Sequence, residues 1–286
     1  MDNPGPLGQG ARRATRRSAM PYVTVEKPRP HVSLIKLNRP ERMNAMSFEL
    51  VEPLYDALRS VGADNDTWVA ILTGEGRGFC SGLDLEDHGV PPGIDGLTMS
   101  RIAIRAMAFM SDLVPTMRAM PQPVIAAING PAYGGGMCLP LGADVRIAAE
   151  SATFRAAGIT NGLTGTELGV SYLLPRLIGA SRAFEFILSG REIGAAEAER
   201  AGLVSRVVPD AELLDTTLAL AEDMCGYSPH GISMTKQVLW SNLEAASLTS
   251  AIDLENRNQL LVRLTTKNLE EAIAARREKR KPRYLD

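Results

Sequence analysis

Two glycine-bearing turns are where this chain could do chemistry. The first reads Gly78-Phe79-Cys80-Ser81-Gly82-Leu83-Asp84-Leu85, and the second Asn129-Gly130-Pro131-Ala132-Tyr133-Gly134-Gly135-Gly136-Met137-Cys138. Each follows a short apolar run, at residues 68–73 and 124–128, that reads as a strand. Three glycines ahead of helix-forming residues leave backbone N–H groups unpaired at a helix N-terminus, where negative charge is attracted. The Lys-Ser/Thr pair of a phosphate loop is absent, so an anion-binding backbone and a plain close-packing turn both stay open. Cys138 sits at such a helix start, which can lower a thiol pKa; the competing reading is a small buried core thiol. Asp84 suits loop orientation, His88 a solvated loop position or a base, and Asp144 a structural place before a strand.

These turns need a scaffold, and the pattern around them supplies one. Strand signals at 22–26 and 31–37, joined through Pro28 and Pro30, are followed by a helix from Ser47 to about Val61 with Leu50, Leu54 and Leu58 on one stripe. In the second strand Val32, Leu34 and Lys36 are expected on one face. Residues 98–119 read as one Met-rich helix closed by Pro121 and Pro123. The apolar run 124–128 marks a strand covered on both faces, and 145–149 and 204–208 continue the alternation. Strands alternating with helices predict an α/β fold with parallel pairing. Beyond Asp210 only helices are expected, so the chain divides into a basic arm (1–20), an α/β core (21–210) and a C-terminal helical region (211–286). Leu213, Leu214, Leu218, Leu220, Leu260, Leu261 and Leu264 exceed one core-facing stripe, which predicts subunit contacts.

Composition bounds the function classes. The 286 residues carry 31 basic and 33 acidic side chains, a net charge of −2, which gives no general reason to expect nucleic acid or an anionic membrane. Three cysteines argue against a disulfide framework and for a reducing, cytoplasmic setting, and no zinc spacing exists. The longest uncharged stretch, 119–143, holds four prolines and five glycines, which excludes a membrane helix. The arginines at 12, 13, 16 and 17 are followed by no apolar segment, so the start is not a secretory signal.

The two turns, with Leu37-Asn38-Arg39-Pro40, Asn44-Ala45, the segment Ala198-Glu199-Arg200-Ala201-Gly202-Leu203-Val204-Ser205-Arg206-Val207-Val208 and the tail Glu278-Lys279-Arg280-Lys281, resemble the crotonase (enoyl-CoA hydratase/isomerase) superfamily over residues 22–286. The resemblance implies a spiral of ββα units followed by C-terminal helices, assembled as a homotrimer or homohexamer. It implies an enzyme of fatty-acid metabolism acting on an acyl-CoA thioester, with coenzyme A as part of the substrate and no tightly bound cofactor or metal. The thioester carbonyl would accept hydrogen bonds from the amides of Leu83 and Gly135, and such donors stabilise the charge of an enolate. Arg42, Met43, Ala45, Ser81, Gly82, Leu83, Asp84, Leu85, Gly134 and Gly135 map to substrate-binding positions. Arg39, Arg42 and Lys281 are candidate partners of the CoA phosphates, whereas Glu86 falls where some relatives carry lysine.

The resemblance also exposes a departure. Family hydratases use two glutamates to activate water and deliver the α-proton; those positions are Cys138 and Gly158 here. Neither substitutes as a carboxylate would, so ordinary hydration is not expected. Glu167, in Gly165-Thr166-Glu167-Leu168-Gly169-Val170, falls where dienoyl-CoA isomerases of the family carry a catalytic aspartate, given one extra residue in the preceding loop. Thr164-Gly165-Thr166-Glu167 also fits a capping box. Three readings follow: an enolate-stabilising enzyme of the family, an enoyl- or dienoyl-CoA isomerase using Glu167, and a non-catalytic acyl-CoA-binding protein.

Overall fold

The computed structural model describes residues 21–284; the basic arm at 1–20 lies outside them. β1 (Val23–Arg29) turns back through His31 onto β2 (Val32–Leu37). Ser47 accepts a hydrogen bond from the Leu50 amide and so starts α1 (Phe48–Ala63), whose Leu50, Leu54 and Leu58 are all buried. After β3 (Val69–Gly74) and the first glycine turn come α2 (Met99–Ser111) and α3 (Leu113–Ala119). The single helix expected at 98–119 is thus two. Pro115 has no N–H for the Ser111 carbonyl and its ring crowds that group, so the chain breaks at Asp112.

β4 (Val124–Ile128) leads to the second glycine turn, with the two-residue β5 (Ala132–Tyr133) and the one-turn α4 (Gly135–Cys138). β6 (Val145–Ala149), β7 (Thr153–Arg155), α5 (Ala157–Thr160), α6 (Val170–Ile178) and α7 (Ala180–Ser189) follow. β8 (Glu192–Gly194), α8 (Ala195–Ala201) and β9 (Arg206–Val208) complete the strands. The main sheet runs β1-β2-β3-β4-β6-β9, antiparallel only at β1–β2. A second sheet, β5-β7-β8, stands beside it. Its strands are two or three residues long, too short to leave a periodic signal in sequence.

β2 does not alternate as expected. Ser33 and Ile35 are as buried as Val32 and Leu34, because the sheet is covered on both sides. One face, with Ile35, Leu37, Ala70, Leu72 and Val124, packs into the large core that includes α1 and α3. The other, with Val32, Leu34, Val69, Ile71, Ile125 and Ile147, is covered by α9 (Leu213–Cys225). Leu213 and Leu218 therefore belong to this chain's own core rather than to a subunit contact. Without α9 one face of the parallel sheet would be bare.

α10 (Pro229–Asn242) is fastened by a buried polar node. The Lys236 ammonium lies 2.9 Å from Asp144 Oδ2 and donates to the Gln122 carbonyl, while Trp240 donates to Asp144 Oδ1 at 2.6 Å. Asp144 also accepts from the Val124 amide, so the structural place expected for it is the one it takes. α11 (Leu248–Thr265) has no buried residue, and α12 (Asn268–Glu278) buries only Ala275. Among the described residues no helix is long and apolar enough to cross a membrane.

Candidate active site

The two glycine turns lie edge to edge. Cys80 and Ala132 form an isolated parallel bridge, in which the Tyr133 amide donates to the Cys80 carbonyl and the Cys80 amide to that of Pro131. A second parallel bridge joins Leu83 to Met46, through Met46 N to Gly82 O (2.7 Å) and Asp84 N to Met46 O (3.0 Å). In such a bridge the flanking residues make the bonds and the central residue's own amide points away. That leaves the Leu83 N–H unused. Gly135 opens α4, whose first-turn amides have no acceptor within the helix. Among the described residues neither Leu83 nor Gly135 donates its N–H to a protein acceptor.

Glycine is required around these amides for identifiable reasons. Gly82 has φ +86°, and a Cβ there would stand 2.6 Å from the Tyr133 carbonyl oxygen and 3.4 Å from the Gly135 nitrogen. Gly134 adopts φ 51°, ψ −127°, a region that side chains forbid. The first turn is tied from behind by Asn44. Its Nδ2 donates to the carbonyls of Glu75, Gly78 and Phe79 at 2.9–3.2 Å, and its Oδ1 accepts from the Arg39 amide. This buried asparagine was part of the matched motif, but its role as a tie was not legible from spacing.

Glu167 faces this floor. Its Oε1 lies 3.3 Å from where a Cβ would stand on Gly134 and 3.7 Å from that on Gly158; Oε2 lies 3.7 Å from that on Gly135. No capping box forms. α6 starts only at Val170, after Gly169 at φ 83°, and Thr164 Oγ1 bonds the Thr166 carbonyl instead. Among the described residues no hydrogen-bond or salt-bridge partner holds the Glu167 carboxylate. Burial without a partner raises its pKa. Their own burial, with a smaller contribution from the Glu167 charge, pushes the Cys80 thiol up to about 12 and the Cys138 thiol well above its usual value. Cys138 is a buried, protonated thiol at the end of α4, not a reactive one at its start.

Position 158 has no room for a side chain. A Cβ on Gly158 would collide with the Thr164 carbonyl oxygen, because the loop carrying Glu167 folds directly over α5. The space a glutamate at 158 would need is occupied by the segment that delivers the one at 167.

Two of the three cationic candidates, Arg39 and Arg42, are committed elsewhere. Asp84 is 2% exposed and pairs with Arg39 at 2.7 Å and Arg42 at 2.8 Å, and its Oδ1 accepts from the amides of Glu86 and Asp87. These contacts hold its carboxyl far below the usual range. Arg39 is itself buried, so its charge serves Asp84 rather than a phosphate. Arg42 adds a 2.6 Å pair with Glu86. Ser81 Oγ donates to the Arg42 carbonyl, and its amide to that of Met43. Ala45 is buried, while Leu83 and Leu85 are exposed beside the turn. His88 is exposed with Nδ1 beside the Gly89 carbonyl, and Lys281 is exposed on the tail after α12. Among the described residues no cluster of three or more His, Cys, Asp or Glu could hold a metal ion.

Comparison with known proteins gives the family. A family model described as enoyl-CoA hydratase/isomerase matches residues 29–286. A Mycobacterium bovis protein named "Probable enoyl-CoA hydratase echA12" is 55% identical over 270 residues, covering 94% of this chain and 95% of its own. The 1,2-epoxyphenylacetyl-CoA isomerase of Escherichia coli is 36% identical, over 88% and 94%. A crystal structure from Mycobacterium abscessus, titled as a probable enoyl-CoA hydratase/isomerase, superposes with a TM-score of 0.89 at 52% identity, over 93% and 99%. A monofunctional enoyl-CoA isomerase from M. smegmatis gives 0.69 at 49% identity, over 81% and 98%.

Proposed function

The chain belongs to the enoyl-CoA hydratase/isomerase family, and from that premise we propose that it is an acyl-CoA-dependent isomerase of fatty-acid metabolism with Glu167 as its base. The observation that carries this reading is the unpartnered Glu167 carboxylate beside Gly134 and Gly135, with no second acid at 138 or 158. In the proposed reaction the thioester carbonyl oxygen accepts from the amides of Leu83 and Gly135. Glu167 takes a proton from the α- or γ-carbon of an unsaturated acyl chain, and the C–H electron pair moves into the conjugated enolate. The same carboxyl returns the proton at the other end of the allylic system, so a double bond shifts and nothing is added.

Burial suits Glu167 to this task, because a raised pKa strengthens the carboxylate as a base. The two amides are fixed before the charge develops; removing one such donor typically costs roughly 3–4 kcal/mol of barrier. Hydration needs a second group to hand water across the bond, and none stands at the family positions. Relatives carry both hydratase and isomerase names, so the reading rests on the Glu167 geometry rather than on the names. The test is conversion of 3-hexenoyl-CoA to the 2-enoyl isomer alongside hydration of crotonyl-CoA. Isomerisation that far exceeds hydration is expected. Robust hydration sinks the reading, and tight acyl-CoA binding with neither reaction favours a binding protein.

The assembly belongs to the same proposal. Leu260, Leu261 and Leu264 lie exposed on α11, Leu264 to 80%, with Leu269 and Ile273 exposed on α12. Apolar residues so placed are suited to cover one another between subunits of a homotrimer or homohexamer. A monomer by light scattering at micromolar concentration counts against this.

A further inference from the structure

We propose that Leu168 is a positioning residue: its left-handed backbone and buried side chain hold the Glu167 carboxylate against Gly135. The proposal rests on Glu167 being the working acid of the site, and it assigns the cause of that acid's placement to the neighbour that follows it.

The chain reverses sharply just after Glu167. Leu168 has φ 45° and Gly169 φ 83°, and the Val170 amide bonds back to the Glu167 carbonyl at 2.9 Å. Glycine takes such angles freely, whereas a leucine rarely does. An outlier of this kind persists only where the surroundings over-determine it. Here the surroundings are explicit. Leu168 is buried, and its Cδ1 stands 3.8 Å from where a Cβ would sit on Gly135, the same point that Glu167 Oε2 approaches to 3.7 Å. Side chain and carboxylate thus converge on one residue of the oxyanion floor from consecutive positions.

Behind Leu168 opens a cavity of about 680 Å³ between α3, α6 and α10, with Val114, Tyr172 and Trp240 among its walls. Leu168 lines that cavity and also touches the floor, so it is a partition. Truncating it opens that cavity toward the half-buried Glu167 carboxylate and admits more water beside it. The titratable groups that feel the Glu167 charge are the Cys80 thiol of the first turn and the Cys138 thiol of α4. Among the described residues no salt bridge reaches it from α5 or α6. Water and side-chain freedom are therefore what a change at 168 alters.

The decisive measurement reads Glu167 without requiring turnover. Its carboxyl is titrated in the full chain by infrared difference spectroscopy, with E167Q as the blank, in wild type, L168A and L168M. L168A is expected to lower the midpoint toward that of an ordinary glutamate, and L168M to restore it. With 3-hexenoyl-CoA, L168A should lose kcat by roughly ten- to a hundredfold with KM little changed, as a misplaced catalytic group does. If L168A does not fold, L168N takes its place, since asparagine suits the left-handed backbone and removes the apolar wall. A midpoint unchanged in the folded variant overturns the proposal, even where melting is earlier, because packing alone then accounts for the residue. Failure of the isomerase reading shows separately, as wild-type turnover by E167Q.

Discussion

Asp84 and Glu167 flank the same glycine floor and are treated in opposite ways. Asp84 is surrounded by two guanidinium groups and two backbone amides and is fixed in its charged form. Glu167 is partly buried with no partner, and its charged form is disfavoured. Compensated charge makes the Asp84 loop a rigid mount for Leu83. Uncompensated charge is what suits Glu167 to the base role proposed for it. The contrast shows why a count of nearby acids is a poor guide to function: the immobile one is the better-bonded one.

The comparison can be broken most forcefully at Glu167. E167Q should cost isomerisation about 10²–10⁴-fold while acyl-CoA affinity stays nearly constant, measured by steady-state kinetics and calorimetry. Asp84→Ala should act on stability instead. It strands the buried Arg39 charge, which costs about 3–5 kcal/mol in denaturant unfolding. Gly158→Glu should not restore hydration, because its side chain must displace the Thr164 loop; a loss of about 1–3 kcal/mol is expected from overpacking.

Titration sharpens the contrast, because the two acids contribute to stability with opposite sign. The depressed Asp84 stabilises the fold above the usual carboxylate range, and that gain is lost as pH falls toward its folded pKa. Asp84→Asn should therefore be destabilising at pH 7 and progressively less so in acid. The raised Glu167 burdens the fold once ionised, and the burden vanishes below the usual glutamate pKa of 4.5. E167Q should be the more stable protein at pH 8, with the difference closing towards pH 4, and wild-type turnover should rise with pH through a midpoint above 4.5. The smallest effect is expected at Cys138. Its thiol is buried and held protonated, so Cys138→Ala should leave turnover essentially intact.

Much of the scaffold was legible because it is local. Ser47 before an apolar stripe specifies where α1 begins, and the all-apolar run Val124–Ile128 specifies a strand covered twice. Other features were hidden because their cause is one residue or one distant partner. Pro115 divides α2 from α3 although the apolar pattern runs through it. The leucines of α9 share their pattern with those of α11, and only the bare second face of the sheet decides which are core.

The same division runs through the site. Sequence by itself determined that two glycine turns follow buried strands, that Leu83 and Gly135 stand at matching places in them, and that no carboxylate occupies 138 or 158. These are facts of residue type and spacing. Only the tertiary structure decided that Asp84 consumes Arg39 and engages Arg42, that Gly158 has no room for a side chain, and that Glu167 faces the glycines instead of capping α6. Spacing could not distinguish cap from base, because both readings need a glutamate just ahead of a helix. The left-handed turn at Leu168 and Gly169 moves the helix start past Glu167, and the burial that holds this turn comes from residues more than thirty positions away.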